Sequence, residues 1–120
     1  MSAAASLKVQ PASRLFKALG DETRLRIVAL LSHGELCVCH LESALNLNQP
    51  NVSRQLGVLR AAGVVESRRE ASWVYYRLAP QMDELCKQQL KALAGAFAQR
   101  EVLRHDVEQL LKSKGPAACR

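Results

Sequence analysis

Residues 35–63 read ELCVCHLESALNLNQPNVSRQLGVLRAAG and contain two short amphipathic segments on either side of a polar turn. The apolar positions of the second segment recur at helical spacing: Val52, Leu56 and Leu59. Asn46 is suited to end the first segment, because asparagine tolerates positive φ. The stretch therefore predicts a helix-turn-helix, with helices over about residues 39–45 and 49–62.

The chain on either side of this stretch completes a small domain. Upstream, the apolar spacing predicts one helix over residues 12–19 and a second that begins after the N-cap Asp21. Downstream, VVESRR and WVYYRL predict the two strands of a β-hairpin with residues 70–72 at its tip. An apolar stripe over residues 80–112 then predicts a long final helix, about 50 Å long if continuous, with Gly95 as its candidate bend.

The composition fits a single small domain that binds a polyanion. We expect it to span residues 12–112, between flexible tails at 1–11 and 113–120. Its 17 basic and 11 acidic residues give a net charge of +6, and nucleic acid is the commonest partner of such a surface. A chain this short buries a modest share of its surface, so help from a second subunit is consistent with its length.

The cysteines are the sharpest chemical feature of the sequence. With no signal peptide and no stretch of membrane-spanning length, we expect a cytoplasmic protein without membrane contact, whose thiols are reduced. Thiolates bind soft ions, and a helix start such as that near Cys37 and Cys39 favours the thiolate form. Side chains two apart on an α-helix point about 200° apart. Sharing one ion therefore predicts an unwound or distorted helix start.

The second helix of the helix-turn-helix carries a row of polar side chains suited to DNA. Gln and Asn pair bidentately with adenine, Arg pairs with guanine, and Ser or the helix N-terminus bonds phosphate. The alternative for such a row is an ordinary solvated face, but a basic hairpin after the helix is typical of a winged helix-turn-helix. The candidate DNA contacts are Gln49, Asn51, Ser53, Arg54 and Gln55 on the helix, and Arg68 and Arg69 near the hairpin tip.

Four segments in order, ALGDETRLRIVALL, ELCVCHL, NQPNVSRQLGVLRAAGVV and WVYYRL, resemble the ArsR/SmtB family of metal-responsive bacterial repressors. The resemblance covers about residues 14–79. It implies a mainly α winged helix-turn-helix of order ααααββα, a homodimer through the first and last helices, and no enzymatic activity. It also implies repression at an inverted-repeat DNA operator that is released when metal binds, with no cofactor required for DNA binding. Gln49, Ser53 and Arg54 are the contacts that it favours.

In this family, ELCVC followed by an acid, a leucine and a third cysteine marks arsenic repressors, since arsenite takes three sulfurs. Here His40 and Glu42 stand in place of the acid and the third cysteine. The resemblance implies As(III) or Sb(III) as the inducer, held by Cys37 and Cys39. Cys119, from the same or the other subunit, is the candidate third ligand, and solvent or a small thiol is the alternative.

Other interpretations keep the fold or change the class of protein. The two cysteines with His40 could answer Cd(II), Pb(II) or Zn(II), or the thiols could answer oxidants. His105 and Glu108 lack the upstream Asp-x-His of the family's zinc site, so we expect ordinary surface residues there. Cys86 lies on the apolar stripe and is expected to be packed. A small thiol oxidoreductase or a pure protein-interaction module would leave the basic helix and hairpin unexplained.

Overall fold

The computed structural model describes residues 9–113, and of Ser113 only the backbone. Two helices come first, and a short strand then leads into the helix-turn-helix; the hairpin and two further helices follow. The bounds are α1 Gln10–Leu19, α2 Glu22–Leu31, β1 Leu36–Cys37, α3 Val38–Leu45, α4 Gln49–Ala61, β2 Val65–Glu70, β3 Trp73–Leu78, α5 Glu84–Phe97 and α6 Glu101–Ser113. None of these helices is long and apolar enough to span a membrane.

The predicted helix-turn-helix is confirmed in α3 and α4. Asn46 ends α3 in the left-handed region, at φ 55° and ψ 48°. Asn48 caps α4, where its Oδ1 accepts from the backbone N–H of Asn51 at 3.0 Å and satisfies one unpaired donor of the first turn. The apolar face of α4 is completely buried: Val52, Leu56 and Leu59. This burial leaves the polar side chains of the helix on its other faces.

The predicted hairpin is confirmed as β2 and β3, with Ala71 at φ 56° in its turn. A third strand, β1, was not predicted. It is only two residues long and pairs antiparallel with β3, which gives the sheet order β1-β3-β2. The hairpin formed by β2 and β3 is the wing, and residues 35–39, which carry both cysteines, are the cysteine segment. Because β1 includes Cys37, the cysteine segment is joined to the same sheet as the wing.

The single long final helix is wrong. The segment divides into α5 and α6, and backbone N–H groups of Gln99 and Arg100 bond the carbonyls of Ala96 and Phe97 between them. Gly95, the candidate bend, lies inside α5. The physical reason is a gap in the apolar stripe. Phe97 and Leu103 are six residues apart, or about 240° around a helix, so one straight helix could not bury both on one side.

The break lets α6 pack against α2 and α3, while α5 packs against α1. Leu103 and Leu110 are buried on the inner side of α6. Asp106 lies beside them with its side chain only 1% exposed, and its two carboxylate oxygens accept from Nε and Nη2 of Arg26, both at 2.8 Å. This buried ion pair joins α6 to α2.

Three helix starts differ from the predicted ones. Helix α1 begins at Gln10, with Pro11 in its first turn, where a missing N–H costs little. Helix α5 begins at Glu84 rather than residue 80, because Asp83 is its N-cap and accepts from the backbone N–H of Leu85. Helix α3 begins at Val38, one residue before the predicted start.

Candidate functional site

The exposed side of α4 carries an interconnected row of polar side chains. Nε2 of Gln49 donates to Oγ of Ser53 at 2.6 Å. One turn along, Nη2 of Arg54 donates to Oδ1 of Asn51 at 3.1 Å. Gln49 and Arg54 are exposed, whereas Asn51 and Ser53 are half-buried. All four lie within the first two turns of the helix, so they form one surface of the size and chemistry that base edges and phosphates require.

Gln55, the fifth predicted contact on α4, is held from outside the helix. Nη1 of Arg24 donates to Oε1 of Gln55 at 2.9 Å, and Nε of Arg24 donates to the carbonyl of Ala18 at 2.6 Å. The amide nitrogen of Gln55 points toward Oδ1 of Asn51 at 3.5 Å. Arg24 therefore orients Gln55 at one side of this polar row. Sequence reasoning missed it because the contact joins residues 31 apart, and no local pattern marks it.

The two arginines predicted for the wing have different surroundings. They are neighbours on one strand, so their side chains project from opposite faces of the hairpin. Arg69 is exposed and has no ion pair or side-chain hydrogen bond with another described residue. Arg68 bonds both carboxylate oxygens of Glu35, bonds Glu70, and lies 4.6 Å above the ring of Tyr75.

The contacts between Arg68 and its carboxylate partners shift the pKa values of Glu35 and of Arg68 itself. The hydrogen bond from Arg68 lowers the pKa of Glu35 below its usual value. The same bond, followed by the one to Glu70, raises the pKa of Arg68. Both shifts favour the charged forms that make the ion pair. Glu35 was not among the predicted functional residues. It precedes Cys37 by two positions, and its partner is 33 residues away in sequence.

The two cysteines are already close together at the start of α3. Their Sγ atoms are 3.2 Å apart. For a shared ion the sequence predicts an unwound or distorted helix start, and in the structure Cys37 precedes the helix altogether. Cys37 is the extended N-cap at φ −74° and ψ 149°, and only Cys39 lies in the helix. Because the two residues do not share helical geometry, the separation of about 200° that holds inside a helix does not apply.

His40 supports this local geometry rather than facing away from it. The backbone N–H of Cys37 donates to Nδ1 of His40 at 3.3 Å, and the Cys37 side chain in return accepts from the His40 backbone N–H. This is a capping box built from cysteine and histidine. Cys37 is 2% exposed, whereas Cys39 is half-buried. Cys39 therefore places one sulfur of the pair at the protein surface, whereas the sulfur of Cys37 is buried.

The remaining candidate ligands do not join this pair within the described residues. Between residues 9 and 113, no three His, Cys, Asp or Glu side chains are grouped so as to hold a metal ion. Cys119 lies outside the described residues. Cys86 is buried on α5, where burial and then the nearby Asp83 raise the pKa of its thiol. His105 and Glu108 are both exposed on α6.

The chain is similar to known bacterial regulators. The family described as "Bacterial regulatory protein, arsR family" matches residues 21–67. The arsenic resistance transcriptional regulator ArsR1 of Pseudomonas putida is 42% identical over 110 residues, which make up 88% of this chain and 84% of that protein. The arsenical resistance operon repressor of Escherichia coli K12 is 56% identical over 68 residues, 56% of this chain and 58% of that protein.

A solved structure extends the likeness to the fold. The homodimeric winged helix-turn-helix DNA-binding domain from Mycobacterium bovis, a possible ArsR-family regulator, is 34% identical with a TM-score of 0.62. The match covers 76% of this chain and 81% of that one. The structure has a helix-turn-helix with a polar exposed side and a wing beside it. The ArsR1 relative and the solved structure match most of the length of both chains. Both lines of evidence indicate the same family. This chain belongs to the arsR family of bacterial regulatory proteins, as a DNA-binding transcriptional repressor and not an enzyme.

Proposed function

We propose that this repressor releases its operator when As(III) or Sb(III) binds at Cys37 and Cys39. The observation that carries the proposal is the sulfur pair, with Sγ atoms 3.2 Å apart at the start of α3. A metal–thiolate bond is about 2.3 Å long, so sulfurs within about 4.6 Å of one another can bond the same ion. Reduced thiolates are soft ligands, which suits thiophilic ions. The names of the Pseudomonas and Escherichia relatives support an arsenical signal.

The position of the pair supports a role in switching. Cys37 is at once the last residue of β1 and the N-cap of α3, and α3 packs directly against α4. An ion that fixes both sulfurs favours one arrangement of this junction. Ligand binding can change DNA affinity only if the ion binds that arrangement better than the one adopted on the operator.

Arsenite needs a third ligand besides the sulfurs of Cys37 and Cys39. The described residues supply two sulfurs, and arsenite takes three. We propose Cys119 for the third position, from the same or the partner subunit. A solvent molecule or a small thiol is the alternative. The two forms differ in a measurable way, because loss of Cys119 should weaken induction in the first case and leave it unchanged in the second.

The DNA contacts proposed for the operator complex are the polar row of α4 and Arg69 on the wing. An inverted-repeat operator requires a twofold dimer that presents two recognition helices one helical turn apart. The first and fifth helices pack together and carry exposed apolar side chains, Phe16 at 53% and Leu85 at 47%. Exposed apolar residues on adjoining helices are suited to a subunit interface, so we propose that α1 and α5 form it.

The experiment is an operator-binding titration followed by fluorescence anisotropy. Operator complexes of the wild type, Cys37→Ser/Cys39→Ser and Cys119→Ser are titrated with As(III), Sb(III), Cd(II), Zn(II) and hydrogen peroxide. Cys86→Ser is the matched control, because it removes a thiol that lies away from the site. All proteins are handled in a reductant until the peroxide arm.

The expected result is release by As(III) or Sb(III) from the wild type and Cys86→Ser, and no release from the double variant. If Cd(II), Zn(II) or peroxide released the wild type and As(III) and Sb(III) did not, the proposed inducer would be wrong, and the role as a repressor would stand. If the double variant released the operator at the same As(III) or Sb(III) concentrations as the wild type, Cys37 and Cys39 would not be the ligands. Failure of every protein to bind the operator before any addition would contradict the DNA contacts.

A further inference from the structure

A single row of residues crosses the sheet from the cysteine site to the wing. Cys37 in β1 is paired with Tyr75 in β3, and Tyr75 is paired on its other side with Arg68 in β2. Residues directly opposite one another on neighbouring strands project from the same face of a sheet. The cysteine, the aromatic ring and the arginine are therefore side-by-side neighbours, although they lie far apart in the sequence.

Arg68 ties this row together through contacts in both directions. Toward the cysteine segment, its Nη2 and Nε bond the two carboxylate oxygens of Glu35 at 2.7 and 2.9 Å. Within the wing, its Nη1 bonds Glu70 at 2.9 Å, and its guanidinium lies over Tyr75. A planar guanidinium can bond one carboxylate twice while stacking on an aromatic ring, which an ammonium group cannot do. These contacts occupy donors that a DNA phosphate would otherwise use.

We propose that Arg68 is a positioning residue that fastens the wing to the segment carrying Cys37, so that a change at the cysteines moves the wing as well as α4. The proposal rests on the proposed function for the ligand that causes the change. The β1–β3 ladder contains only two residue pairs, Leu36–Tyr76 and Cys37–Tyr75. The Arg68–Glu35 pair adds a charged link between β2 and the residue just before β1, beyond the end of that short ladder.

This role separates the two wing arginines. Arg69 projects from the other face and is exposed, so it is the arginine that can reach DNA without breaking a contact of the fold. Arg68 would have to leave Glu35, Glu70 and the ring of Tyr75 to do so. The wing therefore contains one arginine for the operator and one for communication with the cysteine site.

The hairpin supplies a matched control for the link. Arg77 and Glu66 form another arginine–carboxylate pair on the same sheet, but both belong to the wing, on β3 and β2. Glu35→Gln and Glu66→Gln each remove one negative charge and one ion pair. Only the first substitution removes a contact between the wing and the cysteine segment.

The first measurement is the release factor, the ratio of operator Kd with As(III) to operator Kd without it. Residues that carry coupling change it by roughly 2- to 30-fold. We expect Glu35→Gln and Arg68→Met to reduce the release factor within this range, and Glu66→Gln to leave it within about twofold of wild type. Equal release factors for Glu35→Gln and Glu66→Gln would overturn the positioning role.

The second measurement needs no inducer. The logarithm of operator affinity is plotted against the logarithm of salt concentration for Arg68→Met and Arg69→Met. Loss of one phosphate contact reduces the slope by about 1. We expect this reduction for Arg69→Met and a wild-type slope for Arg68→Met. A reduced slope for Arg68→Met would make it a DNA contact instead. If arsenite does not release wild-type protein, the proposed inducer fails, yet the slopes still decide the role of Arg68.

Discussion

Arg54 is the residue at which operator selectivity is most directly testable. It is exposed on α4, and its guanidinium is held by Asn51 without being buried. Arg54→Ala should weaken operator binding by about 1–3 kcal/mol if the guanidinium pairs with a guanine, and it should relax selectivity at that base. Fluorescence anisotropy with the operator and with single-base variants measures both effects. Arg60→Ala, which removes an exposed arginine from the last turn of α4, is the control.

The outcome for Arg54 separates base reading from phosphate binding. Equal losses on all operator variants would assign it to phosphate, since backbone contacts carry no sequence information. Wild-type affinity for Arg54→Ala would remove it from the interface. The same result for both arginine variants would mean that charge, rather than position on the helix, sets the effect.

Asp106 makes a second prediction at the residue scale, concerning stability. Its carboxylate is buried against Arg26, so Asp106→Asn leaves a guanidinium without its counter-charge. Removing one partner of a buried pair costs about 3–5 kcal/mol, and we expect about 3 kcal/mol, since Arg26 remains 20% exposed and can reach water. Urea unfolding followed by circular dichroism gives the free energy of unfolding. Glu108→Gln, on the exposed side of the same helix, should change it little, and equal losses would contradict the role of the buried pair.

Single residues also show where sequence reasoning succeeds. Asn46 is predicted to end α3 because its role depends only on its own φ. The contacts of Arg24 and Asp106 are not predicted, because their partners are 31 and 80 residues distant. An arginine on a helix has many possible partners, and only the packed fold selects one. Local chemistry is therefore readable from a single sequence, whereas long-range polar contacts are not.

At the scale of elements, the same difference between local and long-range signals decides which helices and strands can be predicted from the sequence. The two helices of the helix-turn-helix and the hairpin each have a clear period and a clear stop signal. The two-residue strand β1 has neither, because it exists only through pairing with β3. Its absence from the prediction had a chemical consequence. Without β1, only α-helical geometry is available to compare the two cysteines, and it makes the sulfurs point about 200° apart.

The link between β1 and the wing predicts a pH-dependent element. Because Arg68 lowers the pKa of Glu35, the pair stabilises the wing above the unfolded pKa of about 4.3. That contribution is lost as pH falls through the lower folded pKa. Trp73, the only tryptophan in the chain, begins β3 and is 36% exposed, so its fluorescence reports on the wing. We expect a wild-type fluorescence change below about pH 4 that is missing in Glu35→Gln.

A parallel circular dichroism titration controls for acid unfolding of the whole domain. Helix content should hold while the wing signal changes, because the Glu35 pair lies at the sheet and not in the helical core. Glu66→Gln is again the matched variant, and it should retain the step. Superimposable fluorescence profiles for wild type and Glu35→Gln would show that the pair does not hold the wing.

At the scale of the whole molecule, the net charge of +6 per chain favours a polyanionic partner such as DNA. Binding that neutralises DNA phosphates releases counterions, so affinity falls steeply as salt rises. A dimer that places two recognition helices and two wings on one operator should neutralise several phosphates. With 6–10 such contacts, affinity falls by roughly 10³- to 10⁵-fold between about 50 and 200 mM salt. We expect the operator Kd to follow this steep dependence.

The salt dependence is measured for operator DNA and for scrambled DNA of equal length. Phosphate contacts are shared by both, so both affinities should fall with salt. The proposed contacts from Arg54 and the amide side chains of α4 to base edges should depend less on salt, so the ratio of the two affinities should persist at high salt. A flat salt curve for the operator would contradict DNA as the natural partner of the basic surface. A steep curve with no preference for the operator would keep the phosphate contacts and remove base reading by α4.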